Sequence, residues 1–233
     1  MSKPVCLVTG VGPGTGSALC RRFEAGGYDV AMLARDSERL DALSQELPGG
    51  HPYVCDVSSE EAVKETVAKI AADLGAPDIV IHNAVRGTRG TVLEISPRDL
   101  QRNFEVNVLG LLYLTQATAP AMIEKGKGSI LVTGNTAARR GKDFFAAFAP
   151  TKAGQRILCE SMARDLGPKG VHVAFIMIDA VIDVPWTREA FAGQPDEFYI
   201  KPSAIADEAW HLAHQDKSSW AFEVEIRPFG ENW

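Results

Sequence analysis

The fold class predicted by the 233-residue chain is a single doubly wound α/β domain: a predominantly parallel seven-stranded sheet with helices on both faces. Three observations predict it. Short apolar runs alternate with amphipathic stretches of helical period from one end to the other, and right-handed crossovers then place each helix against a parallel sheet. The runs are apolar almost throughout, as strands covered on both faces are. The first of them, Val5-Cys6-Leu7-Val8-Thr9, empties into a turn holding Gly10, Gly12, Gly14 and Gly16 just before a helix. The length suits one domain, residues 1–233, with no second unit required.

The elements follow in order. After Gly16 a helix is expected through Ala25, with Leu19 and Phe23 on one face and Gly26-Gly27 as its stop. Tyr28 to Ala34 is the second strand. Arg35-Asp36-Ser37 opens a helix carrying Leu40, Leu43 and Leu47, closed by Pro48-Gly49-Gly50. The third strand, Pro52 to Cys55, is short. Ser58 with Glu61 reads as a capping box for a helix whose apolar stripe is Val63, Val67, Ile70 and Leu74, ended by Gly75. Asp78 to Ile81 is strand four. Ser96-Pro97, a capping residue followed by proline at the first helical position, starts the longest helix, which runs to Lys125 before Gly126. Ser129 to Thr133 makes strand five, Phe145 to Leu166 a helix, and Val171 to Ile178 strand six. Asp183 to Pro202 has no period of its own and bears Trp186, Phe191, Phe198 and Tyr199; irregular loops of that length serve function or are disordered, and this one reads as a lid. Ser203 to His214 is a helix, and Phe222, Val224 and Ile226 alternate with charged residues as the last strand.

Composition excludes several classes. A formal charge of −6, with Lys and Arg scattered, leaves no basic footprint for nucleic acid. Cys6, Cys20, Cys55 and Cys159 lie far apart with no C-x-x-C, and two fall in strands where cysteine acts as a small hydrophobe, which suits a reducing cytosol. The first strand begins too early for a signal peptide, and no apolar stretch reaches about 18 residues, so no membrane span is expected and the protein is placed in the cytoplasm. His211-x-x-His214 has the spacing of a ligand pair but no third ligand nearby, and no metal is expected.

The glycine turn carries the chemistry. Glycine takes positive φ cheaply and lets a pyrophosphate approach the backbone N–H groups at a helix N-terminus, whose dipole favours the anion. An ATP-type loop is ruled out because no Lys-Ser or Lys-Thr pair follows the glycines. The strict G-x-G-x-x-G spacing is also absent, whereas Thr9-Gly10-x-x-x-Gly14-x-Gly16 resembles the turn of the short-chain dehydrogenase/reductase family, a Rossmann-type family. The resemblance extends along nearly the whole chain. It implies that Gly10, Gly12, Gly14, Thr15 and Gly16 hold a nicotinamide dinucleotide, that Asp56-Val57 meets the adenine, and that Asn83-Ala84, with Val85 in place of the family's glycine, forms the turn after strand four. Ile182 is assigned to the same cofactor site. By the same likeness Asn107 is the asparagine of the long helix, and Lys152, within Phe148-x-x-x-Lys152, is the lysine that binds the nicotinamide ribose. The competing readings are backbone capping for Asn83 and Asn107 and a solvated helix lysine for Lys152.

Departures from the family pattern fall on the proton-transfer groups. Phe148 stands at the catalytic tyrosine and Asn135 at the catalytic serine; phenylalanine has no hydroxyl, and asparagine offers a hydrogen bond without a useful titration. Asp179-Ala180 replaces a Pro-Gly turn, and Val184 replaces a carboxamide-contacting threonine. The candidate substitute acids are Lys152, Thr136, Arg139, Lys142, Asp179 and, from the lid, Tyr199 or an ordered water. At the end of strand two, Ala34-Arg35 stands where NAD-preferring members carry an acid, so NADP (NADPH) is favoured over NAD, with Asp36 expected to oppose the phosphate. The resemblance implies an NADP-dependent oxidoreductase acting on a small-molecule substrate, and a homodimer or homotetramer paired through the two long helices. A non-catalytic dinucleotide-binding protein, a redox sensor or partner subunit, is the alternative.

Overall fold

The computed structural model describes residues 3–231. Seven strands form one sheet in the order β3-β2-β1-β4-β5-β6-β9, and every neighbouring pair is parallel. They are β1 (Val5–Thr9), β2 (Asp29–Ala34), β3 (Gly50–Val54), β4 (Ile79–His82), β5 (Gly128–Asn135), β6 (Val171–Ile178) and β9 (Glu223–Ile226). The order reverses between β1 and β4, which opens a crevice at the carboxyl ends of those strands. Apolar residues on both faces of the strands require a cover on each side. Helices α1 (Thr15–Ala25), α2 (Ser37–Glu46) and α8 (Pro202–Ala213) bring Leu19, Phe23, Leu40, Leu43, Ile205 and Leu212 to one face. The other face receives Val63, Val67 and Ile70 from α3 (Glu60–Asp73), Leu111, Leu114 and Met122 from α5 (Gly110–Lys125), and Cys159, Met162 and Leu166 from α6 (Ala149–Leu166). All four cysteines are buried and unpaired.

Local chemistry moves several boundaries from their expected places. The cap of α3 is Ser59, which accepts from the Ala62 N–H, because the Ser58 hydroxyl is already spent on Asp56; the expected Ser58–Glu61 box does not form. The start at Ser96 holds: Ser96 and Asp99 cap each other reciprocally ahead of α4 (Pro97–Phe104). The long helix continues from α4 into α5, but through a π turn at Glu105–Leu109 that no periodicity announces. Pro97–Lys125 spans 29 residues and is long and apolar enough for a membrane crossing by length and composition, contrary to the expectation that no stretch qualifies. Here its apolar side packs on α3 and the sheet. Helix α6 begins at Ala149, not Phe145. Phe145 is tied back to the loop after β4 by its bridge to Gly90, and the N–H groups of both Phe148 and Ala149 close onto the Phe145 carbonyl as a turn.

The stretch expected to be irregular is folded. Val181–Ile182 (β7) pairs in parallel with Tyr199–Ile200 (β8), and between them lies α7 (Pro185–Ala190). Arg188 staples the segment: its guanidinium takes both oxygens of Asp183 at 2.6 and 2.9 Å, reaches Asp196 at 2.6 Å, and lies 4.0 Å over the Tyr199 ring.

Candidate active site

The carboxyl ends of β1 and β4 are locked together by one hydroxyl. Thr9 Oγ1 accepts from the N–H groups of Asn83 and Ala84, each at 3.2 Å, so its proton goes to His82 Nδ1 at 3.3 Å. Asn83 Nδ2 donates to the Gly10 carbonyl at 3.0 Å, and its Oδ1 accepts from Thr133 on β5 at 3.1 Å. Gly10 has φ 68°, and a Cβ there would sit 2.5 Å from the Ala84 Cα, so only glycine lets the two turns approach this closely. A Cβ at Gly16 would likewise strike the Gly10 carbonyl oxygen at 2.5 Å. The result is a tight cradle at the start of α1. In it the Thr15 hydroxyl, buried in the first turn of the helix, has no hydrogen-bond partner among the described residues. Val184 and Trp186, from the segment after β7, lie against Gly14. Val184, placed by the family likeness where a threonine touches a carboxamide, brings only methyl groups.

At the ends of β2 and β3, Arg35 is exposed and Asp36 caps α2, accepting from the Arg39 N–H at 3.1 Å and pairing with the Arg39 guanidinium at 3.3 Å. Arg39, which the sequence reading passed over, reaches the turn: its Nη1 lies 4.0 Å from where a Cβ on Gly12 would be. The Asp36 charge expected to repel a phosphate is therefore paired with a cation beside the glycines. A basic residue three positions after a capping acid was the available signal. Asp56 is set by Ser58, whose N–H and hydroxyl both donate to its Oδ1 at 3.0 and 2.7 Å. Burial would raise its pKa, but those bonds, with Arg35 nearby, hold the carboxyl below its usual range. The neighbouring Val57 carbonyl rests against Gly110 on the long helix. Ile182 is half-buried in β7 and its carbonyl accepts from Thr187.

The polar residues of the long helices converge behind the crevice. Asn107, fully buried in the π turn, accepts from the Arg86 N–H at 2.9 Å and donates to the Arg86 carbonyl at 2.9 Å and to Thr151 at 2.8 Å. Asn83 and Asn107 thus each bond both the backbone of a loop and a threonine side chain on a neighbouring element. Lys152 does not behave as a solvated helix lysine: it is 2% exposed, and its ammonium donates to the Thr133 carbonyl at 3.1 Å and to Gln155 Oε1. Burial lowers its pKa to about 8. His82, buried beside it, is pushed down to about 3, first by burial and then by the lysine's charge, and is neutral. Phe148 is half-buried, edge-on to Phe145 at 5.8 Å, and flanks Gly87. Asn135 turns its Oδ1 to the Ala137 N–H at 3.1 Å, capping the turn after β5.

Most of the candidate substitute acids are already engaged. Tyr199 donates to the Phe191 carbonyl at 2.9 Å, Arg139 pairs with Glu223 and Glu225, and Asp179 accepts from Thr136 at 3.1 Å and Arg140 at 2.8 Å. Lys142 is exposed. His211 and His214 face Gln215 and Tyr28 respectively, His214 stacked 3.9 Å from Trp210. The arrangement can cradle an anion at the helix N-terminus and hold one buried lysine at its back, with an aromatic face and no hydroxyl at Phe148.

Comparison with known proteins agrees with this architecture. The family model described as short chain dehydrogenase matches residues 4–194. A short chain dehydrogenase of Pseudocercospora fijiensis (strain CIRAD86) is 32% identical over 198 residues, which is 82% of this chain and 62% of that protein. An alcohol dehydrogenase from the archaeon Thermococcus sibiricus, complexed with 5-hydroxy-NADP, superposes with a TM-score of 0.87 at 27% identity over 98% of both chains. A metagenomic short-chain oxidoreductase in complex with NADP gives 0.85 at 29% identity, again over 98% of both. With the match extending from β1 past α7, the chain belongs to the short-chain dehydrogenase/reductase family of oxidoreductases.

Proposed function

We propose that the chain is an NADPH-dependent oxidoreductase that transfers a hydride between the cofactor and a small apolar or aromatic carbonyl, imine or activated alkene. The observation that carries this reading is the Cβ-free cradle at the start of α1 with the unpartnered Thr15 hydroxyl inside it. Buried hydroxyls are ordinarily bonded, so this one fits an absent acceptor such as a pyrophosphate oxygen. In this reading Gly10, Gly12, Gly14, Thr15 and Gly16 hold the pyrophosphate, Arg35 with Arg39 the 2′-phosphate, and Asp56 and Val57 the adenine. Asn83, Ala84, Ile182 and Lys152 line the nicotinamide half, and Asn107 fixes the loop that carries Arg86. When bound, the nicotinamide supplies or accepts the hydride. Residues 183–202 act as a lid of the single domain, their Val184 and Trp186 already resting on Gly14.

Proton supply sets the acceptor class. A ketone that receives hydride becomes an alkoxide and needs a proton, which Phe148 and Asn135 cannot give. A protonated imine becomes neutral on receiving hydride, so an aromatic wall costs it little. The alternative, a dinucleotide-binding sensor or partner subunit without turnover, is favoured by that same missing pair. Oxidation of NADPH at catalytic rates with any member of a panel of ketones, quinones, imines and activated alkenes supports the enzyme; binding without turnover across the panel supports the sensor. The family likeness supports pairing through the long helices as a homodimer or homotetramer. Unpaired cysteines favour a cytoplasmic setting.

A further inference from the structure

Gln155 has no part in the reading above, yet it sits at the centre of the buried polar residues. It lies one turn beyond Lys152 on α6 and is fully enclosed. Both ends of its amide are used: Nε2 donates to the Asn107 carbonyl at 2.7 Å, and Oε1 accepts from the Lys152 ammonium. That carbonyl belongs to the π turn, where the ordinary ladder of the long helix is interrupted. Packing alone does not explain the residue, since an aliphatic side chain would fill the helix interface without the cost of desolvating an amide.

We infer that Gln155 is the positioning residue of Lys152, its amide bridging the ammonium to the Asn107 carbonyl as a brace that holds the lysine without conducting its proton. An amide neither ionises nor acts as a base in the working range. A proton on Lys152 therefore cannot leave through Gln155 and Asn107, nor through the Thr133 carbonyl, and exchanges only on the side of the crevice. The groups facing the ammonium are Thr133 from β5, neutral His82 from β4, and Gln155 and the Cys159 thiol from its own helix. None is a carboxylate, which agrees with a lysine that gives up its proton near pH 8. The functional consequence rests on the proposed cofactor role of Lys152; the brace itself does not.

The test is a titration of Lys152 by NMR in protein labelled with ¹³Cε-lysine, assigned with Lys152→Arg, alongside NADPH affinity measured from pH 6.5 to 9.5. Gln155→Glu places a counter-charge on the ammonium and is expected to raise the Lys152 midpoint by more than about one pH unit. Gln155→Met removes both bonds and is expected to lower it, weakening NADPH several-fold at neutral pH; if the glutamate variant does not fold, this variant decides. Midpoints unchanged in folded variants, as judged by near-ultraviolet circular dichroism, overturn the inference and leave Gln155 as packing. A midpoint that moves while NADPH affinity stays the same upholds the brace and removes Lys152 from the cofactor site.

Discussion

The Lys152→Met substitution should reveal the cost of a buried cation through the pH dependence of stability. The ammonium is enclosed, and its pKa falls from 10.5 to about 8 in the folded chain. Below pH 8 both folded and unfolded chains carry the proton, so the lysine adds no slope. Between pH 8 and 10.5 the unfolded chain binds the proton and the folded chain does not, so raising the pH favours the folded state; above 10.5 the effect is flat again. One pH unit of difference corresponds to about 1.4 kcal/mol, and integration from pH 7 to pH 10 gives about 2.5 kcal/mol for this group. Methionine has similar volume and no charge. The lost bonds to Thr133 and Gln155 shift the variant by a constant, whereas the slope belongs to the titration. Urea unfolding of both proteins at pH 7, 8, 9 and 10, at one protein concentration, should show the parent gaining about 2.5 kcal/mol on the variant across the series. Parallel stability curves would refute the reasoning, because a lysine with solvated energetics contributes nothing in that range.

Three further outcomes are expected. Gly10→Ala forces a Cβ to 2.5 Å from the Ala84 Cα at φ 68° and should cost roughly 3 kcal/mol, lowering the thermal midpoint by several degrees and abolishing NADPH binding; calorimetry and fluorescence titration check both. NADPH should bind more tightly than NADH, with Arg35→Ala removing about 1.5–3 kcal/mol of the difference and Arg39→Ala part of what remains; equal affinities in the parent protein end the argument from Arg35. Phe148→Tyr combined with Asn135→Ser should raise ketone reduction by up to about 10²–10⁴-fold while leaving iminium reduction unchanged or slower, and a parent already as fast on ketones would mean that another group donates the proton.

Features that depend on local chemistry are legible in the sequence alone. The apolar run to Thr9, the glycines after it, and Ser96-Pro97 each act within a few residues, and the structure keeps all three. The errors at the helix starts have one local cause and one distant one: Ser58 had two partners to choose between, and Phe145 was drawn from its helix by Gly90, a residue far away in the chain. The segment 183–202 defeated periodicity because its order comes from one arginine shared by Asp183 and Asp196 and from strands of two residues, too short to leave a repeat.

By itself the sequence determined the fold class, the glycine cradle and the absence of a hydroxyl at position 148, since those follow from which side chains exist and in what order. Only the tertiary structure decided what Lys152, Gln155, His82 and Arg39 do. Burial and partners across the fold set the charge and placement of a polar side chain: Lys152 answers to a carbonyl on β5 and an amide on its own helix, and Arg39 to glycines that precede it by a strand and a helix. A pattern along the chain specifies an apolar face because every residue in it sees the same sheet. It does not specify a polar contact, which depends on two atoms that meet only after the sheet has closed.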